Sequence, residues 1–358
     1  MKPLAINCRF LNRSMTGVDR FAGELLRALD RLQANGDPLL EGLRVRALAP
    51  PGTARPPWLE GIPLRTCGRL RGQAWEQLEL PRAAGDDLLL NLCNTGPLLR
   101  RRQLVVIHDV ATFRVPQSYS ATFRRWYGLM TPRLYRAAAQ VATVSEFSRR
   151  EMAGLFGKRD DVVVLPEGAD HIGRGTEDTA ILDRYALRAR PFALAVSSQA
   201  PHKNFSVVAE AVAQIRGADF DLVVAGGQNP KVFGGGRPLP GFVKHVGYVT
   251  DAELLALYRN AACFVFPSRY EGFGLPAVEA MACGCPVLAA NAASIPEVCG
   301  EAALYFDPQD APTLARVLSG LMADEAQRRR RSAAGRAHVE GLKWENAAKC
   351  LLEMIAPT

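Results

Sequence analysis

The chain has 358 residues, a formal net charge of +8, 48% apolar and 22% charged residues. That length favours two α/β domains over one core, and that composition excludes a disordered or fibrous chain. No uncharged apolar run approaches the length of a spanning helix, and the basic residues are not interleaved with aromatics as in a nucleic-acid module, which argues against nucleic acid as a partner.

The opening M-K-P-L-A-I-N-C-R reads as a first strand, not a secretory leader. The eight scattered cysteines are then expected to be reduced thiols of a cytoplasmic protein, with Cys283 and Cys285 in core or helix-end positions. From residue 4 onward, apolar β-like runs alternate with amphipathic stretches. Strands are expected at 4–10, 44–49, 88–93, 104–110, 141–145 and 162–165, with helices at 18–32, 121–138 and 146–156. A second series follows at 192–197, 222–226, 243–246, 263–267, 286–290 and 303–306. Alternation of this kind predicts parallel sheets with right-handed crossovers. The polar, Gly-rich stretch G-A-D-H-I-G-R-G-T-E-D from Gly168 lies between the two series. The expected division is therefore 1–170, a linker at 171–190, 191–340, and a final helix in 341–358.

The densest chemical signal is E-G-F-G-L-P-A-V-E, from Glu271 to Glu279. A strand runs into a Gly-containing loop and then a helix, with Pro276 suited to the first turn. The amides of Gly272, Phe273, Gly274 and Leu275 would make an anion site at a helix N-terminus. Glu271 lies in the loop and Glu279 in the helix, so the two carboxylates come from different elements. A glycosidase acid/base pair is an alternative reading, although such a pair flanks a bond across a cleft. Upstream, A-V-S-S-Q-A-P-H-K-N places His202 and Lys203 in a strand-to-helix turn, where an ammonium would neutralise a diphosphate. Gly226, at a strand end, allows close backbone approach, and G-Y-V-T-D puts Tyr248 in a turn before a helix capped by Thr250 or Asp251.

In the first half, T-G-V-D-R-F-A-G-E-L-L puts Gly17 at the start of a helix. V-V-I-H-D ends a buried strand on His108 and Asp109, N-T-G follows another strand at Asn94 and Thr95, and V-S-E-F-S contains Ser145. Polar residues at the carboxyl ends of parallel strands face a ligand crevice.

Taken together these strings, covering about Thr16 to Trp344, resemble the retaining glycosyltransferases of glycosyltransferase family four. The resemblance implies a GT-B fold, two Rossmann-like α/β domains with parallel sheets facing across a cleft, the last helix packing back on the first domain. It implies that Glu271 holds donor-sugar hydroxyls, Glu279 the ribose, Gly272–Leu275 the sugar and diphosphate, Lys203 the diphosphate, and Tyr248 the base. Gly17, His202 and Gly226 would complete the donor site. His108 would meet the transferred sugar, with Asn94, Thr95, Asp109 and Ser145 on the acceptor side. The family's phosphate loop commonly adds an arginine that this chain lacks, leaving His202 or Arg269 as substitutes.

No D-x-D follows a strand, so neither a metal nor any other cofactor is expected. The strings look most like bacterial mannosyl- or deoxyhexosyl-transferases of surface-polysaccharide assembly. A nucleotide-sugar donor, GDP-linked or alternatively UDP-linked, and a glycan or lipid-linked acceptor are the expected partners. The alternatives are an inactive nucleotide-sugar binder and a peripheral membrane adaptor. Arg100–Arg102, Arg124–Tyr127 and Arg149–Arg150 allow shallow contact with an anionic membrane face.

Overall fold

The computed structural model describes residues 2–196, 200–226 and 240–355. The chain divides into two compact units, one running to Gly168 and resuming at Lys343, the other spanning Ala169–Leu342. Helices of eight residues or more are labelled α1–α9.

The first unit contains β1 (Lys2–Asn7), α1 (Gly17–Ala34), β2 (Leu43–Ala49), β3 (Leu64–Thr66), β4 (Leu88–Asn91), β5 (Gln103–Val106), α2 (Ala121–Ala137), β6 (Gln140–Thr143), α3 (Glu146–Phe156), β7 (Val162–Val164) and α9 (Trp344–Ile355). Its seven strands are parallel in the order β3-β2-β1-β4-β5-β6-β7. Helices cover both faces, so the inner strands are apolar without alternation, as in the buried run Leu104–Val106 of β5. α1 starts where Thr16 accepts the Asp19 N–H and Asp19 returns a carboxylate to the Thr16 N–H, a capping box. Its stripe of Phe21, Leu25, Leu29 and Leu32 is buried, and Phe21 meets the fully buried Trp344 of α9 edge-on with ring centroids 5.6 Å apart. Gly168 permits this docking, because a Cβ there would sit 2.4 Å from the Trp344 backbone nitrogen.

The second unit contains β8 (Phe192–Val196), α4 (Phe205–Gln214), β9 (Asp221–Ala225), β10 (Val243–Gly247), α5 (Asp251–Asn260), β11 (Cys263–Phe266), α6 (Leu275–Ala282), β12 (Val287–Ala290), β13 (Leu304–Phe306), α7 (Ala311–Ala323) and α8 (Glu325–Val339). Its six parallel strands are ordered β10-β9-β8-β11-β12-β13. In both sheets the order reverses beside the first strand, between β1 and β4 and between β8 and β11. Ligands bind at the carboxyl ends of the strands flanking such a reversal.

Two expectations change. Residues 171–190 are no linker: they carry a 3-10 turn at Ile172–Arg174 and a short helix at Ala180–Arg184, and they belong to the second unit. Ile172, Ile181, Leu182 and Leu187 are buried, an apolar content masked by the surrounding Gly and charged residues. The short edge strand β3, half exposed, had no apolar run to announce it.

Candidate functional site

In the second unit the turn after β8 and the loop after β11 meet at the reversal. The His202 carbonyl accepts the Arg269 N–H at 2.8 Å, and Lys203 Nζ lies 2.7 Å from Glu271 Oε1. Asn204, in the left-handed region at φ 55°, donates its side-chain amide to the Pro267 and Pro308 carbonyls. Ser294 Oγ lies 2.9 Å from both the Glu271 and Phe273 carbonyl oxygens, pinning the loop from below. Gly274 is the N-cap of α6 at φ 111°, where a side chain would be strained, and no side chain caps the helix. The first turn of α6 therefore presents amides and the positive end of a helix dipole beside Lys203. Ser197–Gln199 of the preceding string and Gly227 lie outside the described residues.

His202 is not a second cation here. Burial, then the charge of Lys203, push its pKa below the usual histidine value, against a smaller pull from Glu271. Arg269 is exposed.

Glu279 keeps different company from Glu271. It is buried in α6, with Oε1 2.8 Å from His171 Nε2 and Oε2 accepting from the Tyr258 hydroxyl at 3.3 Å. Burial and the neighbouring carboxylate push that hydroxyl's pKa well up, so Tyr258 stays a donor. Gly226 and Gly247 are joined, N–H to carbonyl, at 2.6 Å, and the following Tyr248 is 83% exposed. Sequence reasoning missed His171, Tyr258 and Ser294. The one available signal was a histidine inside a stretch read as linker.

In the first unit a buried polar network fills the sheet reversal. Glu76, 1% exposed, sits on a π turn at Trp75–Glu79, accepts from Asn7 at 2.8 Å and Thr95 at 2.9 Å, and pairs with Arg9 at 3.2 Å. Two of the residues expected on the acceptor side have partners within the protein. Thr95 is 1% exposed and its hydroxyl is spent on Glu76 and Arg9. Ser145, equally buried, caps α3 by accepting the Ser148 N–H at 3.1 Å. His108 is 4% exposed, with Nε2 2.9 Å from the Leu92 carbonyl, so that nitrogen carries a proton and Nδ1 faces Glu167 at 3.7 Å. Phe21 packs edge-on against its ring at 4.6 Å. Asp109 accepts the Ala111 N–H, and Asn94, at φ 61°, accepts the His108 N–H. Asn94 and Asp109 do line a cavity of about 390 Å³ with Thr16 and Val18, whereas Gly17 is the first residue of α1 with open space around it.

All eight cysteines are free thiols; Cys283 caps the C-terminus of α6 and Cys285 is buried. Among the described residues no three His, Cys, Asp or Glu side chains group as metal ligands. No described helix is long and apolar enough to cross a membrane. Of the basic runs, Arg100 is tied to the Pro81, Gly85 and Asp87 carbonyls and Arg149 to Glu146, while Arg124 and Arg125 are exposed.

Residues 183–338 match the family described as glycosyl transferases group 1. The chain is 32% identical over 259 residues to the O-antigen chain mannosyltransferase B of Escherichia coli, covering 68% of each protein. The chain belongs to the group 1 glycosyltransferases. It is also 33% identical over 242 residues to the MMP alpha-(1->4)-mannosyltransferase of Mycolicibacterium hassiacum, covering 63% of this chain and 56% of that protein. Among solved structures, Anabaena HepE in complex with UDP and glucose is similar over 100% of both chains, at TM-score 0.72 and 17% identity. The fold of this group 1 glycosyltransferase is GT-B, with two parallel-sheet α/β domains.

Proposed function

We propose that this glycosyltransferase moves a hexose, mannose or a deoxyhexose from a GDP-sugar, onto a glycan or lipid-linked saccharide in surface-polysaccharide synthesis. The observation that carries the reading is the Lys203–Glu271 pair beside the uncapped N-terminus of α6. An ammonium and free helix amides are what a departing diphosphate requires, and a carboxylate is what sugar hydroxyls require. In this reading Lys203 shifts from Glu271 toward the diphosphate when donor binds, and the amides of Gly272, Phe273, Gly274 and Leu275 share the charge. Neutral His202 contributes a hydrogen bond at most. Glu279, held by His171 and Tyr258, takes the ribose, and Gly226 and the exposed Tyr248 border the base. Gly17, by its lack of a side chain, admits the donor phosphates.

The first unit is the acceptor half, with Asn94, Thr95, Asp109 and Ser145 on the acceptor side and His108 near the transferred sugar. Transfer proceeds with retention. The bond from the anomeric carbon to the phosphate oxygen breaks, the acceptor oxygen bonds on the same face, and its proton passes to the departing phosphate oxygen. Lys203 and the helix amides take the role a metal plays elsewhere, so no metal or other cofactor is needed. The enzyme works in the cytoplasm, with Arg124 and Arg125 in shallow contact with an anionic membrane face.

The mannosyltransferase relatives favour mannose as the transferred sugar, and GDP is the nucleotide proposed with it. A second reading, a UDP-sugar donor, is favoured by the likeness to HepE with UDP and glucose. Thermal shift with GDP-, UDP- and TDP-sugars decides between them. A ligand at ~100 times its Kd adds ~2.7 kcal/mol to the folded state. Stabilisation by GDP-mannose or a GDP-deoxyhexose alone supports the first reading, by UDP-sugars alone the second, and by none of them overturns both.

A further inference from the structure

The cavity of the first unit carries a more specific message about the acceptor. It opens at the carboxyl ends of β1, β4 and β5, among Arg13, Asn94 and Asp109, and at about 390 Å³ it is the size of a small-molecule site. One wall is aromatic. Phe123 and Tyr127 stand one turn apart on α2 with rings stacked at 4.2 Å and 20°, and Tyr119 continues the stack at 5.3 Å and 10° from Phe123. Phe123 is 39% exposed, so the middle of this row presents apolar ring surface to the cavity.

The opposite side is polar, and its one cation is already paired, leaving Asp109 as a further negative charge. The lining holds one arginine, Arg13, against two aspartates, Asp19 and Asp109, and Arg13 is ion-paired with Asp19. Arg9, behind it, is paired with Glu76. The lining thiol, Cys93, is pushed up to about 12 by burial and is uncharged. A phosphate entering here would lose its water shell without meeting an uncommitted cation. A neutral sugar ring meets what it needs: apolar carbon for its C–H faces and amide, carboxylate and hydroxyl groups for its edges.

We propose that this pocket takes the terminal sugar unit of a neutral glycan acceptor, packed on Tyr119, Phe123 and Tyr127, and excludes acceptors recognised through a phosphate. The inference rests on the reading of the first unit as the acceptor half. The test is saturation-transfer NMR on the full chain, with the stabilising nucleotide present. The probes are methyl glycopyranosides of the manno, rhamno, gluco, galacto and N-acetylgluco series, with myo-inositol 1-phosphate as competitor. At least one glycoside binds the wild type, its signal falls about fivefold in Phe123→Ser and returns in Phe123→Trp, and the inositol phosphate does not displace it. Binding of no glycoside, displacement by inositol phosphate, or an unchanged signal in Phe123→Ser overturns the proposal. Nucleotide stabilisation of the wild type and Phe123→Ser reports separately on the donor reading. If it persists while glycoside binding is absent, the donor reading stands and this one falls.

Discussion

The two sheet reversals use one topology for opposite electrostatic ends. Between β8 and β11, a lysine and a carboxylate face each other near an uncapped helix, and both remain partly exposed. Between β1 and β4, the charges of Arg9 and Glu76 are locked into a network with Asn7 and Thr95, and α1 is closed by its own capping box. Polar residues at strand ends thus divide into those kept available for a ligand and those consumed by the protein. The first kind implies chemistry, the second rigidity.

Substitutions break this contrast in order of expected size. Glu76→Ala strands Arg9, Asn7 and Thr95 in a buried network and should cost ~3–5 kcal/mol of stability. A melting temperature within a degree of wild type would show the network to be slack. Lys203→Ala should do the converse, lowering kcat by ~10²–10³, or ~2.7–4 kcal/mol of transition-state stabilisation, with melting unchanged. Steady-state kinetics with the identified donor measure it, and equal losses of stability and activity would erase the distinction.

His171→Ala sharpens the donor half. If His171 holds Glu279 on the ribose, the variant binds GDP about tenfold more weakly, the worth of one charge-assisted hydrogen bond, but binds 2′,3′-dideoxy-GDP as wild type does (UDP and its dideoxy form if UDP is the donor nucleotide). Calorimetric titration reads the cycle, and equal weakening of both nucleotides would make His171 merely structural. The smallest effect concerns His202. Its folded pKa is depressed by burial, so the unfolded chain binds the extra proton first as pH falls. Its contribution is present above the unfolded value near 6.5 and is lost as pH falls below it. His202→Gln should narrow the melting difference between pH 7.5 and pH 5.5; an unchanged difference would place the acid sensitivity elsewhere.

Much of this was legible in the amino-acid order. The alternation of apolar and amphipathic runs announced both sheets, because strands buried on both faces are apolar throughout. The string from Glu271 to Glu279 announced a loop–helix anion site because glycine and proline fix backbone geometry locally. The partners of Thr95 and Ser145 were not legible, for a physical reason. A polar residue after a strand looks the same in sequence whether it faces a crevice or caps a helix. Only the position of Glu76, 19 residues before Thr95, separates the cases. His171 escaped notice because its partner lies 108 residues onward, beyond any local pattern.

The chain leaves the first unit at Gly168 and returns to it at Lys343. During synthesis the second unit is therefore complete before the first can close, reversing the usual order of domain maturation. Until Trp344 emerges, Phe21 lacks one of its two ring partners, and the other is His108. The ribosome thus delivers the wedge that seats this histidine's neighbour only after the whole second unit has been made.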